Sequence, residues 1–186
     1  MSIITEAPNP SVERTFQRPL RALWPAAHVK RGPQNSHLAR ATMHSTATIF
    51  GPVFVLVFWT FVVLNCVGYA RIRAAIRGAV TASDFRLGES ENVPEHVRLP
   101  NRNYMNLLEL PQVFYVGCLV IYSTNITSPT LLVLAWLYVV FRITHSIVHL
   151  SYNNPVHRLY IFAASNTALL VLWVISAFAL WGRHVA

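Results

Sequence analysis

PTLLVLAWLYVVFRITHSIVHL, running from Pro129 to Leu150, is apolar from end to end except for Arg142, His145, His149 and a few hydroxyls. Its length matches the roughly 20 residues that a helix needs to cross a hydrocarbon core of about 30 Å. Ionisable groups inside such a segment are costly and tend to mark function. At about 100° per residue, offsets of three and seven return Arg142, His145 and His149 to one face, so the helix carries a polar stripe.

Working outward, three more segments have the same length and character, at about 48–70, 103–123 and 159–181. The whole chain of 186 residues is 54% hydrophobic and only 12% charged. That balance excludes an ordinary soluble domain. The expected fold is all-α, an integral membrane bundle of four up-and-down helices. Cys66 and Cys118 fall in the first two spans near opposite ends, well over 10 Å apart at about 1.5 Å per residue, so they are expected as unpaired buried residues. The net charge of +8 forms no basic stripe interleaved with aromatics, which argues against nucleic acid as a partner.

Residues 1–42 differ from the rest. Arg14, Arg18, Arg21, Lys30, Arg31 and Arg40 lie among Pro, Asn, Ser and Ala with no apolar period, so a disordered basic tail is expected before a membrane domain over 43–186. The tail has neither the apolar core of a secretory signal nor the acid-free composition of a mitochondrial presequence. Parts of it resemble translated intergenic repeats of bacterial genomes, which makes Met43 a candidate start. Between the first two spans lie Arg71, Arg73, Arg77, Arg86, Arg98 and Arg102, whereas the link 124–128 is uncharged. Positive-inside bias therefore places the 71–102 loop in the cytoplasm, in a bacterial inner membrane.

On the second span, Arg102, Asn106 and Glu109 also share a face, because offsets of four and seven return to it. Two readings of the facing stripes stand side by side. One is a structural Glu109–Arg142 ion pair that locks the bundle. The other starts from imbalance: one carboxylate faces Arg102, Arg142 and Arg158, so donors and positive charge remain for a small anionic ligand. His145 and His149 have a spacing that can hold a metal, but three nearby arginines repel a divalent cation, so no metal is expected. Ser165-Asn166-Thr167, interrupting the fourth span, is expected to serve interhelical hydrogen bonding or close packing. No phosphate-binding glycine pattern, Ser-His-Asp set or pair of carboxylates suited to catalysis is apparent.

Arg102-x-x-x-Asn106-x-x-Glu109-x-Pro111, together with Arg142-x-x-His145-x-x-x-His149 and then Arg158 behind Asn154-Pro155, resembles the MAPEG family, the membrane-associated proteins in eicosanoid and glutathione metabolism. That family includes microsomal glutathione transferases, leukotriene C synthase and microsomal prostaglandin E synthase. The resemblance covers roughly 49–181 and is of a bacterial type, with His149 where many catalytic members have Tyr and with Pro111 closer to Glu109. It implies a homotrimer binding glutathione near the cytoplasmic face between subunits. Arg102 and Arg142 would meet its carboxylates, Glu109 its amino group and Asn106 its peptide part, with His145 and His149 alongside and Arg158 stabilising the thiolate. The implied activity is a glutathione-dependent transferase or peroxidase acting on hydrophobic electrophiles or lipid peroxides. The alternative within the same family is a non-catalytic lipid-binding or accessory membrane protein.

Overall fold

The computed structural model describes residues 47–86 and 88–185; the proposed tail 1–42 and the Met43 start lie outside them. The described residues fold into four long helices, α1 Phe50–Ile76, α2 Glu95–Ser123, α3 Pro129–Leu150 and α4 Pro155–Val185, with a single 3-10 turn at Ala82–Phe85. All four are long and apolar enough to cross a membrane.

Each helix end has a local cause. Gly78 at φ 67 terminates α1, with its N–H on the Ala75 carbonyl and that of Ala79 on the Ala74 carbonyl; a left-handed glycine closes a helix in this way. Asn125 at φ 54 does the same for α2. Ser128 caps α3, its Oγ accepting the Leu131 N–H, and Pro129 follows at the first helical position, where a missing N–H costs nothing. Pro100 and Pro111 lie inside α2. Each removes one intrahelical bond, which membrane helices tolerate where neighbours cover the backbone.

Three helices outrun the lengths expected from hydropathy. α2 begins at Glu95 rather than near Asn103, α1 continues to Ile76, and α4 runs from Pro155 to Val185. Hydropathy reports only the turns that face hydrocarbon; the added turns are held by other contacts. Val97 and Ala74, with Val80 and Val93 from the connecting loop, form a small separate apolar cluster covered by Ala70 and Phe85. Arg71 tethers that loop through Glu89 at 3.1 Å and lies over the Phe85 ring.

The main core runs along the bundle axis. Leu56 and Val63 of α1, Leu107, Phe114 and Ile121 of α2, Leu131, Ala135 and Tyr138 of α3, and Leu169 and Leu172 of α4 are buried in it. Leu107, Phe114 and Ile121 recur every seven residues, the repeat that keeps a seam facing its neighbours. Lipid is as apolar as leucine, so close packing rather than water exclusion holds such helices together. Gly117 illustrates this: a Cβ there would stand 3.3 Å from the Trp173 ring of α4. The outward faces remain apolar, with Phe54 and Phe58 on α1, Leu119 on α2, Val140 on α3 and Phe178 on α4 exposed. Among the described residues, Cys66 and Cys118 are both free thiols, Cys118 buried as expected and Cys66 only half-buried because it faces a groove beside α1.

The uncharged end is closed by Arg183, whose guanidinium donates to the Thr124 and Asn125 carbonyls at 2.7 and 2.9 Å. This places the end of α4 beside the α2–α3 turn, as an up-and-down order requires. α3 and α4 make the most extensive helix pair, followed by α1 and α2. Ser165 and Thr167 bond to the Phe162 and Ala163 carbonyls of their own helix, so of the two expected roles interhelical hydrogen bonding is not taken by these two hydroxyls, while the wholly buried Ser165 serves close packing. Short hydroxyl side chains satisfy themselves on the preceding turn when no partner comes within reach.

At the opposite end, Asp84 organises the loop. Its carboxylate accepts the Thr81 N–H and hydroxyl, both at 2.8 Å, and the Ser90 hydroxyl at 3.0 Å. These bonds, led by the Thr81 N–H, hold its pKa below the ordinary aspartate value. A depressed carboxylate stabilises the loop fully above the ordinary value of about 3.9, and the effect is lost as pH falls through the lowered one. Asp84→Asn is therefore expected to speed tryptic cleavage at the exposed Arg86 at neutral pH. Pepsin near pH 2 should cut variant and wild type in this loop at closer rates.

Candidate functional site

The polar stripe of α3 turns inward rather than to lipid: Tyr138, Arg142, His145, Ser146 and His149 are all buried. A membrane interior supplies no water to such groups, so their partners must come from the protein itself. Ser146 gathers two of those helices. Its Oγ accepts the Trp59 indole N–H of α1 at 2.8 Å and the Asn103 amide of α2 at 2.6 Å. His145 connects to the fourth helix, its Nδ1 lying 3.1 Å from the Arg158 carbonyl of α4. A carbonyl only accepts, so Nδ1 carries the proton in this contact and Nε2 is left as an acceptor when the ring is neutral.

Arg142 is 1% exposed. Its Nε donates to the Tyr138 hydroxyl at 3.2 Å, and its guanidinium lies over the Phe162 ring of α4 at 4.9 Å. The Glu109–Arg142 ion pair of the purely structural reading is absent, and Arg71–Glu89 is the one ion pair among the described residues. Glu109 is exposed on α2. The reason is rotational: Asn103, Leu107, Phe114 and Ile121 carry the buried seam of α2, and Glu109 sits off that seam.

The other residues singled out from sequence do come together. Arg102 and Asn106 of α2, His149 of α3 and Arg158 of α4 line a cavity of about 320 Å³. Asn106 and Arg158 also form part of the wall of a second, of about 280 Å³, with His145, Pro155 and Phe162. No carboxylate side chain lines either cavity, and neither Arg142 nor Glu109 belongs to the two walls.

Sequence reasoning gave no role to the two residues that position Arg158. Asn154 caps α4, its Oδ1 accepting the Val156 N–H at 2.9 Å and the His157 N–H at 3.3 Å. Asn153, at φ 47, makes the turn between α3 and α4, and its Oδ1 accepts Arg158 Nη1 at 2.8 Å. An Asn directly before a proline is a recognisable helix start, and that signal was available in Asn153-Asn154-Pro155. The start of α4 thus brings the positive end of its dipole to the same cavities as Arg158.

Several buried polar atoms beside these walls have no partner within the described residues: Arg158 Nε, His149 Nδ1, His145 Nε2 and, deeper, Arg142 Nη2 and Asn103 Oδ1. Buried polar atoms are normally paired, so a cluster of unspent ones suits a polar ligand. Chemically, two guanidiniums, a helix N-terminus and an amide suit a small anion with hydrogen-bonding groups. Among the described residues no group of three or more His, Cys, Asp or Glu is placed to hold a metal ion.

Removing the shared acceptor tests how the site is braced. Ser146→Ala strands the buried Asn103 amide and the part-buried Trp59 indole N–H, and is expected to lower unfolding stability in detergent by about 1–2 kcal/mol. An unchanged stability would show that α1 and α2 do not depend on this hydroxyl.

The sequence model of the MAPEG family matches residues 49–178. Comparison with curated proteins and with solved structures gives no match.

Proposed function

Because the chain belongs to the MAPEG family, an integral membrane family of glutathione and eicosanoid metabolism, we propose that it is a glutathione-dependent membrane transferase or peroxidase. Its second substrate is a hydrophobic electrophile or a lipid peroxide that reaches the site from the bilayer. The observation that carries this reading is the pair of carboxylate-free cavities joined by Asn106 and Arg158.

Arg102 receives a glutathione carboxylate at the mouth of the larger cavity, and Asn106 hydrogen-bonds the peptide portion. Arg142 bonds Tyr138 through Nε, lies over Phe162 and lines neither cavity, so its main part is to fix α3 against α4 through a buried charge, with Nη2 left unspent behind the site. Glu109 shares its helical face with Arg102 and Asn106 and is exposed in the single chain. Its place at the ligand's amino group therefore requires the closure that a homotrimer provides, with the ligand between neighbouring subunits. Positive-inside bias puts this end of the bundle at the cytoplasmic face of a bacterial inner membrane.

Arg158 lowers the thiol pKa. A free thiol near pKa 8.5 is only a few per cent ionised at neutral pH, and each unit of depression corresponds to about 1.4 kcal/mol of preference for the thiolate. A guanidinium held by Asn153 at the positive end of α4 supplies that preference before the second substrate arrives. His145 Nε2, a lone acceptor in the smaller cavity's wall, and His149 in the family's tyrosine position complete the polar lining.

The second reading is a non-catalytic, lipid-binding or accessory membrane protein of the same family. His149 favours it, because an imidazole replaces the phenol found in many catalytic members. Thiolate difference absorbance on adding glutathione to the purified protein separates the two. Wild type is expected to develop the thiolate band at neutral pH, and Arg158→Ala to return bound glutathione to the few per cent ionisation of a free thiol with its oligomeric mass unchanged. A band unaltered by the substitution removes Arg158 from the chemistry, and a wild type that gives no band supports the accessory protein.

A further inference from the structure

A cavity of about 1010 Å³ lies away from these residues, between α1, the start of α2 and the end of α3. None of Arg102, Asn106, His145, His149 and Arg158 lines it. Its volume is at the upper end of the roughly 300–1,000 Å³ usual for small-molecule sites. The lining is divided. Val62, Cys66 and Ala70 give it an apolar stretch within the span of α1, while Arg73, Arg77 and His96 gather at the arginine-rich end.

Cations at the end of a helix complement its dipole, which accounts for arginines in this part of α1. It does not account for an amphipathic groove of this volume beneath them. Arg73 is fixed by the groove's own wall, its Nη1 donating to the Tyr69 hydroxyl at 2.8 Å with the guanidinium near the same ring. The carboxylates that follow in the loop are engaged elsewhere, Asp84 by Thr81 and Ser90 and Glu89 by Arg71. Two guanidiniums without a carboxylate partner among the described residues thus stand over an apolar slot that runs into the membrane. Basic pockets between transmembrane helices at this depth suit anionic lipid head groups.

We infer that this groove is a binding site for a diacyl anionic phospholipid. The phosphate lies against Arg73 and Arg77, and one acyl chain descends past Ala70 and Cys66. The lipid ties the end of α1 to the start of α2, and it does so independently of any glutathione chemistry.

Cys66 serves as a built-in reporter, because the other cysteine, Cys118, is fully buried. The full chain is reconstituted in vesicles of phosphatidylcholine, with or without phosphatidylglycerol, and maleimide labelling of Cys66 is timed. Phosphatidylglycerol is expected to slow labelling at least about tenfold, and the double variant Arg73→Gln/Arg77→Gln to weaken its retention about thirty-fold. Inorganic phosphate should give no protection. Equal labelling in the two vesicles, protection by phosphate alone, or protection that survives in the double variant overturns the inference. Ala70→Phe fills the slot while keeping both arginines, and covers the case in which the double variant fails to fold. Native mass spectrometry should show it without retained phosphatidylglycerol and with the wild-type oligomeric mass. Retained lipid, or an altered oligomeric mass that makes the groove a contact between copies of the chain, overturns the inference equally.

Discussion

A polar group inside a bilayer has no water to fall back on, and α3 carries five of them on its inward side: Tyr138, Arg142, His145, Ser146 and His149. The arrangement of the other three helices follows from where those groups find partners. Trp59 and Asn103 converge on one hydroxyl, so α1 and α2 are set in rotation and depth by Ser146. α4 is set by the His145 contact to a backbone carbonyl and by the guanidinium of Arg142 on Phe162. Hydrogen bonds in membranes are individually modest, but they are directional, and apolar packing against lipid-like neighbours is not.

This bracing explains why the functional groups lie at one end. Once His145 holds the first turn of α4, the Asn153-Asn154-Pro155 connection has little freedom. Its two asparagine side chains divide the work, one capping the helix and the other holding Arg158. The guanidinium is thereby presented at a helix N-terminus, next to Arg102 and Asn106 of α2, in walls that carry no negative charge. Building such a site is costly for the empty protein because like charges and unspent donors are held together. A ligand with the opposite charge and matching acceptors recovers that cost.

Much of the fold was legible because hydrocarbon imposes a simple length and polarity rule. The four apolar segments and the α3 stripe followed from it, and the stripe did turn inward. What escaped was rotational or local. Asn103 and Ser146 look like incidental polar residues, yet each is wholly buried, and Asn103 rather than Asn106 is on the buried seam of α2. A single helix's periodicity cannot say which of two adjacent faces meets its neighbour. The Glu109–Arg142 pair failed for the same reason: equal depth in the membrane does not bring two side chains to one azimuth. The helix extensions at Glu95 and Ile76 were hidden because their support comes from a short loop cluster and the Arg71–Glu89 pair, not from lipid.

The most direct test of the central claim is a density map of the oligomer in lipid with glutathione bound. The account predicts the ligand in the trough shared by Asn106 and Arg158, its sulfur beside the Arg158 guanidinium, a carboxylate at Arg102, and a neighbouring subunit closing the side where Glu109 is exposed. A ligand lodged elsewhere in the bundle, or Arg102 and Arg158 turned apart into lipid with no density between them, would contradict it.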